Sequence, residues 1–160
     1  MPIGNLLAKP CKQEISSTFI FDAPREIVYK VFVDPKLIPD WWGPSYLTSK
    51  VEKMDVRPGG SWRIVQHDPE GNQFAFHGVY HEVIEPAKLV YTFEYEGMPG
   101  HILMETVIFE DWDGITKMTD QMVFQSAEDR DGMLSNGMED GAAESMTRLA
   151  DMVLKTTLKK

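Results

Sequence analysis

Few groups in this chain can do chemistry, and their spacing narrows the choice further. His77 and His81 stand four apart, a separation that on a helix would place two imidazoles on one metal. They fall instead in a run of period-two alternation, where four residues span about 13 Å and one ion cannot reach both. On that strand they face away from Phe74, Phe76 and Tyr80, so they read as outward. His67 and His101 lie at turns and read as solvated, and no metal site is expected. Asp120 is more telling, because it alternates with Met118 and Met122 on a face that reads as inward. A buried carboxyl either finds a partner or shifts toward its protonated form. Asp120 is thus a general base, a polar anchor for a ligand, or one half of a pairing with Arg or Tyr. Glu105 and Glu110 lie on different faces of their strand, and Glu82 shares the face of Tyr80, so no carboxylate pair for acid–base work follows. Arg63 and Glu94 alternate away from the aromatics and read as solvated. Arg57-Pro58-Gly59-Gly60 lacks the Lys and Ser/Thr of a phosphate loop and precedes no helix, so it reads as a hairpin turn. No GxSxG, HExxH or GxGxxG arrangement is present, and neither covalent nor metal catalysis nor any cofactor is indicated.

The elements that must position these groups follow from periodicity. A β-rich run over residues 14–22 ends at Asp22-Ala23-Pro24. Asp22 or Ala23 can cap a helix with Pro24 and Glu26 in its first turn, and Ile27, Val28, Val31 and Phe32 form its apolar stripe. Asp34-Pro35 stops it and begins a second short helix, 35–40, before the aromatic loop Trp41-Trp42-Gly43-Pro44. The period then changes to two, with strands expected at 46–56, 60–68, 73–84, 87–96, 102–111 and 115–124. The connections are two to five residues of turn type, which means hairpins and an antiparallel meander. Ser126 opens a last helical region, interrupted near Gly132 and Asn136-Gly137 and resumed as a long helix over 138–157.

The chain is therefore α+β. A seven-stranded antiparallel sheet must curl around the one long helix able to cover its apolar face. Leu89, Tyr91, Phe93 and Tyr95 share one face, as do Trp62 with Ile64 and Met118 with Met122 and Phe124. A filled core and a lined hollow give this same alternation, and both readings stay open.

Composition bounds the rest. The 160 residues form one domain, expected over 14–158 after a flexible leader of 1–13. With 16 Lys plus Arg against 25 Asp plus Glu, the net charge of −9 argues against nucleic acid and against docking on an anionic membrane. Cys11 is the only cysteine, so no internal disulfide can form, and a reducing, cytoplasmic location is expected. The N-terminal residues lack the basic start and apolar run of a signal peptide.

A set of local sequences carries a resemblance. It comprises Phe21-Asp22-Ala23-Pro24-Arg25-Glu26-Ile27-Val28, Trp41-Trp42-Gly43-Pro44 and Asp55-Val56-Arg57-Pro58-Gly59-Gly60-Ser61-Trp62. Gly78-Val79-Tyr80-His81-Glu82-Val83-Ile84-Glu85-Pro86, Leu89-Val90-Tyr91-Thr92, Gly114-Ile115-Thr116-Lys117-Met118-Thr119 and Gly137-Met138-Glu139-Asp140-Gly141 continue it. In order and spacing these resemble the helix-grip fold of the START-like (SRPBCC) superfamily, and within it the proteins related to the activator of the 90-kDa heat-shock protein ATPase. Met138 follows Gly137 where relatives commonly place Trp.

The superfamily includes lipid and hormone binders and polyketide cyclases. The resemblance thus implies a pocket between sheet and final helix for a small hydrophobic or aromatic molecule, with the Trp41-Trp42 loop at its mouth. Expected lining residues are Trp41, Trp42, Trp62, Phe76, Tyr80, Tyr91, Phe93, Met118, Asp120, Met122, Met138 and Met146, with Tyr80, Tyr91 and Asp120 making the polar contacts. Three alternatives stand beside this. One is a cofactor-free cyclase or dehydratase using Asp120 and a Tyr hydroxyl. The others are a chaperone-interacting module and a homodimer formed through an exposed strand edge.

Overall fold

The alternating runs pair in sequence order wherever a turn is short enough to return the chain directly. A computed structural model describes residues 3–7, 12–136 and 138–158. Its strands are β1 (Ile3–Leu7), β2 (Glu14–Phe21), β3 (Thr48–Met54), β4 (Ser61–His67), β5 (Gln73–Ile84), β6 (Lys88–Tyr95), β7 (Ile102–Trp112) and β8 (Ile115–Val123). The helices are α1 (Arg25–Phe32), α2 (Ile38–Trp41), α3 (Ala127–Ser135) and α4 (Met138–Leu158). All neighbouring strands run antiparallel, in the order β1-β2-β8-β7-β6-β5-β4-β3. Strands β3 to β8 form the expected meander, and β2 closes onto β8.

This is the expected α+β helix-grip architecture, with a curved antiparallel sheet, a long C-terminal helix and two short helices after the strand at 14–21. It carries one strand more than expected. Ile3–Leu7, in the segment read as a leader, pairs with β2 as an added edge. Cys11 lies outside the described residues.

Local chemistry explains several joints. Asp113 and Gly114 both adopt positive φ, 56° and 93°, in the two-residue connection between β7 and β8. That is the backbone twist of a tight hairpin, and Asp-Gly tolerates it best. Ser126 caps α3, its side chain accepting from the Asp129 N–H at 3.0 Å. Gly132 does not interrupt that helix, which runs on to Ser135. Pro24 itself holds the N-cap position of α1, whose buried side is Ile27, Val28, Tyr29 and Val31.

The main core lies between the sheet and the helices. Phe109 is fully buried, with the rings of Tyr29 and Phe32 edge-on to it at 5.4 and 5.5 Å. Met146, Leu149 and Val153 bring α4 into the same cluster. A second cluster of Ile15, Leu103 and Phe124 sits where Met133 and Leu134 of α3 cover the sheet.

One register change alters the expected facing. A bulge between Tyr80 and Glu82 inserts a residue into β5. Tyr80 stays inward, but Val83 takes over the core face and Glu82 turns to solvent, where Lys88 pairs with it at 2.8 Å. The expectation that Glu82 shares the face of Tyr80 therefore fails, because a bulge reverses the alternation beyond it. Arg63 and Glu94 do face outward, but they are paired rather than free. Arg63 bridges Glu52 and Glu96, and His77 bridges Glu94 and Glu96. No helix among the described residues is long and apolar enough to cross a membrane.

Candidate functional site

Strand alternation aims large rings into the space under α4, and the curl of the sheet keeps them from closing it. A chain of rings in contact runs Tyr95–Phe76–Phe93–Trp62–Tyr91–Tyr80, with centroid separations of 5.2 to 6.2 Å. Trp42 meets this chain edge-on at Phe76, 5.4 Å away. Trp62 is fixed by its Nε1–H, which donates to the Thr92 carbonyl at 3.2 Å. The indole passes over Gly78, where a Cβ would lie 2.6 Å from Nε1.

These rings wall two adjoining hollows. The outer one, about 1090 Å³ and partly open to solvent, lies between the sheet and the helices α3 and α4. The inner recess, about 180 Å³, is lined by Trp41, Trp62, Tyr80, Tyr91, Asp120 and Met146 among others. Trp42, Phe93, Glu105, Met122, Ala142 and Ser145 border both and form the neck between them.

The neck is held by hydrogen bonds. The Gly43 N–H donates to Ser145 Oγ at 2.7 Å, and the Ser45 N–H donates to Glu144 Oε1 at 2.9 Å. Arg148 donates to the Gly43 carbonyl at 2.6 Å and to the Pro39 carbonyl at 3.5 Å. Gly43 is favoured here by its φ of +82°, and a Cβ would also displace the Gln66 amide, 2.4 Å away. Trp41 closes α2 rather than starting the loop expected from the sequence, and the loop from Trp42 onward is tied to α4 by these bonds.

Beside the neck lies a pair of acids that the sequence reading did not assemble. Tyr91 stands directly opposite Glu105, and Asp120 stands opposite Val107, one diagonal step away. Glu105 is 8% exposed. Its carboxyl interacts with both the Tyr91 hydroxyl, a donor, and the Asp120 carboxyl. Burial pushes Asp120 well above the usual carboxylate range, and the neighbouring Glu105 charge pushes it further. Burial raises Glu105 as well. Burial and the mutual proximity of the two acids thus favour the protonated form at this point of the wall. Asp120 Oδ1 is buried with no hydrogen-bond partner. Burial also raises the Tyr91 and Tyr80 phenols, which stay neutral.

Of the residues expected to line the pocket, Trp41, Trp62, Tyr80, Tyr91, Asp120 and Met146 border the recess, Phe76 the outer hollow, and Trp42, Phe93 and Met122 both. Met118 is fully buried in the core and borders neither. The side chain of Met138 lies outside the described residues. Glu105 was the residue missed, although its alternation with Leu103, Val107 and Phe109 was a usable signal for its facing. Among the described residues no group of three His, Cys, Asp or Glu could hold a metal ion.

Solved structures share the fold. Protein Ms6760 from Mycobacterium smegmatis is 22% identical, with a TM-score of 0.83 over 92% of this chain and 94% of that one. A protein from Rhodobacter sphaeroides is 19% identical, with a TM-score of 0.88 over 96% and 99%. One from Arthrobacter aurescens is 22% identical, with a TM-score of 0.87 over 94% and 91%. These establish a common fold. No curated protein matches the chain. The family model described as Activator of Hsp90 ATPase homolog 1-like protein matches residues 22–153, from the end of the first core strand almost to the end of α4. The chain belongs to that family.

Proposed function

We propose that this protein binds a small, largely apolar or aromatic molecule in the space between the sheet and α4. The observation that supports the reading is a pair of adjoining hollows whose walls share Trp42, Phe93, Glu105, Met122, Ala142 and Ser145. An outer volume of about 1090 Å³ is the size of a small-molecule site, and walls that are apolar with a few convergent polar groups are the usual composition of one. The ring chain supplies contact area, and Tyr80, Tyr91, Glu105 and Asp120 supply the orienting groups at the inner end. Met122 and Met146 let the wall repack around different shapes.

The experiment is a thermal-melt screen against compact aromatic compounds, with Ala142→Trp as control. A ligand present at 100 times its Kd adds about 2.7 kcal/mol, which a domain of this size reads as a rise of about 5–10 °C. Ala142 borders both hollows, so an indole there fills the neck and abolishes the shift while the variant still melts cooperatively. Shifts that persist undiminished in Ala142→Trp place the ligand elsewhere and sink the reading.

The acid pair favours a second reading, a cofactor-free enzyme of cyclase or dehydratase type. A protonated carboxyl beside an unpartnered acceptor can give and take protons within one site. In that case Asp120→Asn retains ligand binding but loses conversion of the bound molecule by about a hundredfold, as followed by mass spectrometry.

A further inference from the structure

The walls around the two hollows carry charge of one sign. Asp68, Glu128, Asp129, Asp140 and Glu144 line the outer hollow, and no Lys or Arg lines either space among the described residues. Some of these acids have local partners: His101 faces Asp129 at 2.9 Å, and Ser45 holds Glu144. Arg148, fixed on the Gly43 and Pro39 carbonyls, acts on Glu144 from beside the hollow rather than from its wall. Low-dielectric walls lined by one sign of charge focus the field and gather ions of the other sign. An anionic ligand such as a fatty acid would enter against it.

At the neck the sign becomes a specific demand. Asp120 Oδ1 is a buried acceptor with nothing to accept from, and Glu105 beside it is 8% exposed. Among the described residues the Tyr91 hydroxyl is the donor that meets this pair, and it is directed at Glu105. A group that brings its own N–H and its own positive charge satisfies the open acceptor and relieves the cost of holding two acids out of water. A carbonyl or ether would bring neither a donor nor a compensating charge.

Resting on the ligand-binding reading above, we infer that the ligand class is an aromatic or aliphatic amine, whose cationic nitrogen docks against Glu105 and Asp120 while its apolar body lies along the ring chain. The amine enters protonated, so no covalent step is involved.

The test is calorimetric titration at pH 7 with three probes of one shape: 2-(1-naphthyl)ethylamine, 2-(1-naphthyl)ethanol and 1-naphthylacetate. The amine is expected to bind about tenfold tighter than the alcohol, and the acetate about tenfold weaker than the alcohol. Asp120→Asn and Glu105→Gln should each cut the ratio of amine to alcohol affinity from about tenfold to about one, whatever the change in absolute affinity. If one variant does not fold, the other answers the question, and the wild-type ranking stands without either. Alcohol or acetate binding as tightly as the amine overturns this inference and leaves the pocket intact. An amine preference undiminished in both variants overturns it too. Binding by none of the three overturns the ligand-binding reading itself, and this inference with it.

Discussion

On the outer face of the sheet, Glu52, Glu94 and Glu96 meet Arg63 and His77; on the inner face, Glu105 and Asp120 meet only each other and a phenol. The residue types are the same, and the strands are neighbours. The solvent and the partner differ. Outside, Arg63 and His77 hold Glu96 down to about 2 while its side chain stays partly exposed. Inside, burial without a cation drives both acids the other way. The outer pairs read as support for the sheet. The inner pair costs stability, and a cost kept at the neck of a cavity points to a use.

The largest effect expected on this contrast comes from Gly78, where the inner wall is built against backbone. A Cβ there would lie 1.8 Å from the Thr92 carbonyl oxygen as well as against Trp62. Gly78→Val should cost about 3 kcal/mol or more, a fall in melting temperature of about 6–12 °C. A variant melting within about 2 °C of the parent would show that the indole is not held as described.

Next is the inner pair. A carboxyl raised in the folded state is neutral in both states at low pH, so it costs nothing there. The penalty builds as pH rises through the ordinary carboxylate range and is complete once the folded-state value is passed. Asp120→Asn should therefore stabilise the protein by about 1–2 kcal/mol at pH 8 and leave it unchanged at pH 3. Equal shifts at the two pH values, in melts of both proteins, would remove the basis of the contrast.

The smallest effect belongs to the outer face. Arg63 is about a third exposed, so Arg63→Met should lower the urea midpoint at pH 7 only slightly, and less still in high salt. The sign with pH is opposite to that inside. A carboxyl lowered in the folded state contributes above its unfolded value and loses that contribution as pH falls toward 2. The variant should show a shallower acid slope than the parent, and an unchanged slope would assign the acid sensitivity elsewhere.

How much of this could be read in advance depended on how local each signal was. Alternation and turn residues are local, and they marked the strands from 14 onward to within two residues, as well as the helix from 138. Ile3–Leu7 was not legible because its pairing depends on β2 offering a free edge, which no short window reports. The bulge at Tyr80–Glu82 was hidden for a related reason: an inserted residue leaves no compositional mark, yet it reverses facing downstream. Met118, Asp120 and Met122 share a face as expected, but only depth along β8 separates a core methionine from two residues at the cavity. The acid pair needed the register between β7 and β8, a relation between strands. Each residue alone looked like an ordinary inward position.

The ties between the loop from Trp42 onward and α4 bear on rates as well as shape. Glu144, Ser145 and Arg148 lie within five residues of α4, so a shift of that helix acts on the bonds to Gly43, Ser45 and Pro39 at once. The passage to the recess then has one rest width, set by where the helix sits. For a ligand of the kind proposed, the time spent in the recess would follow the lifetime of those bonds, which residues that never touch the ligand can change.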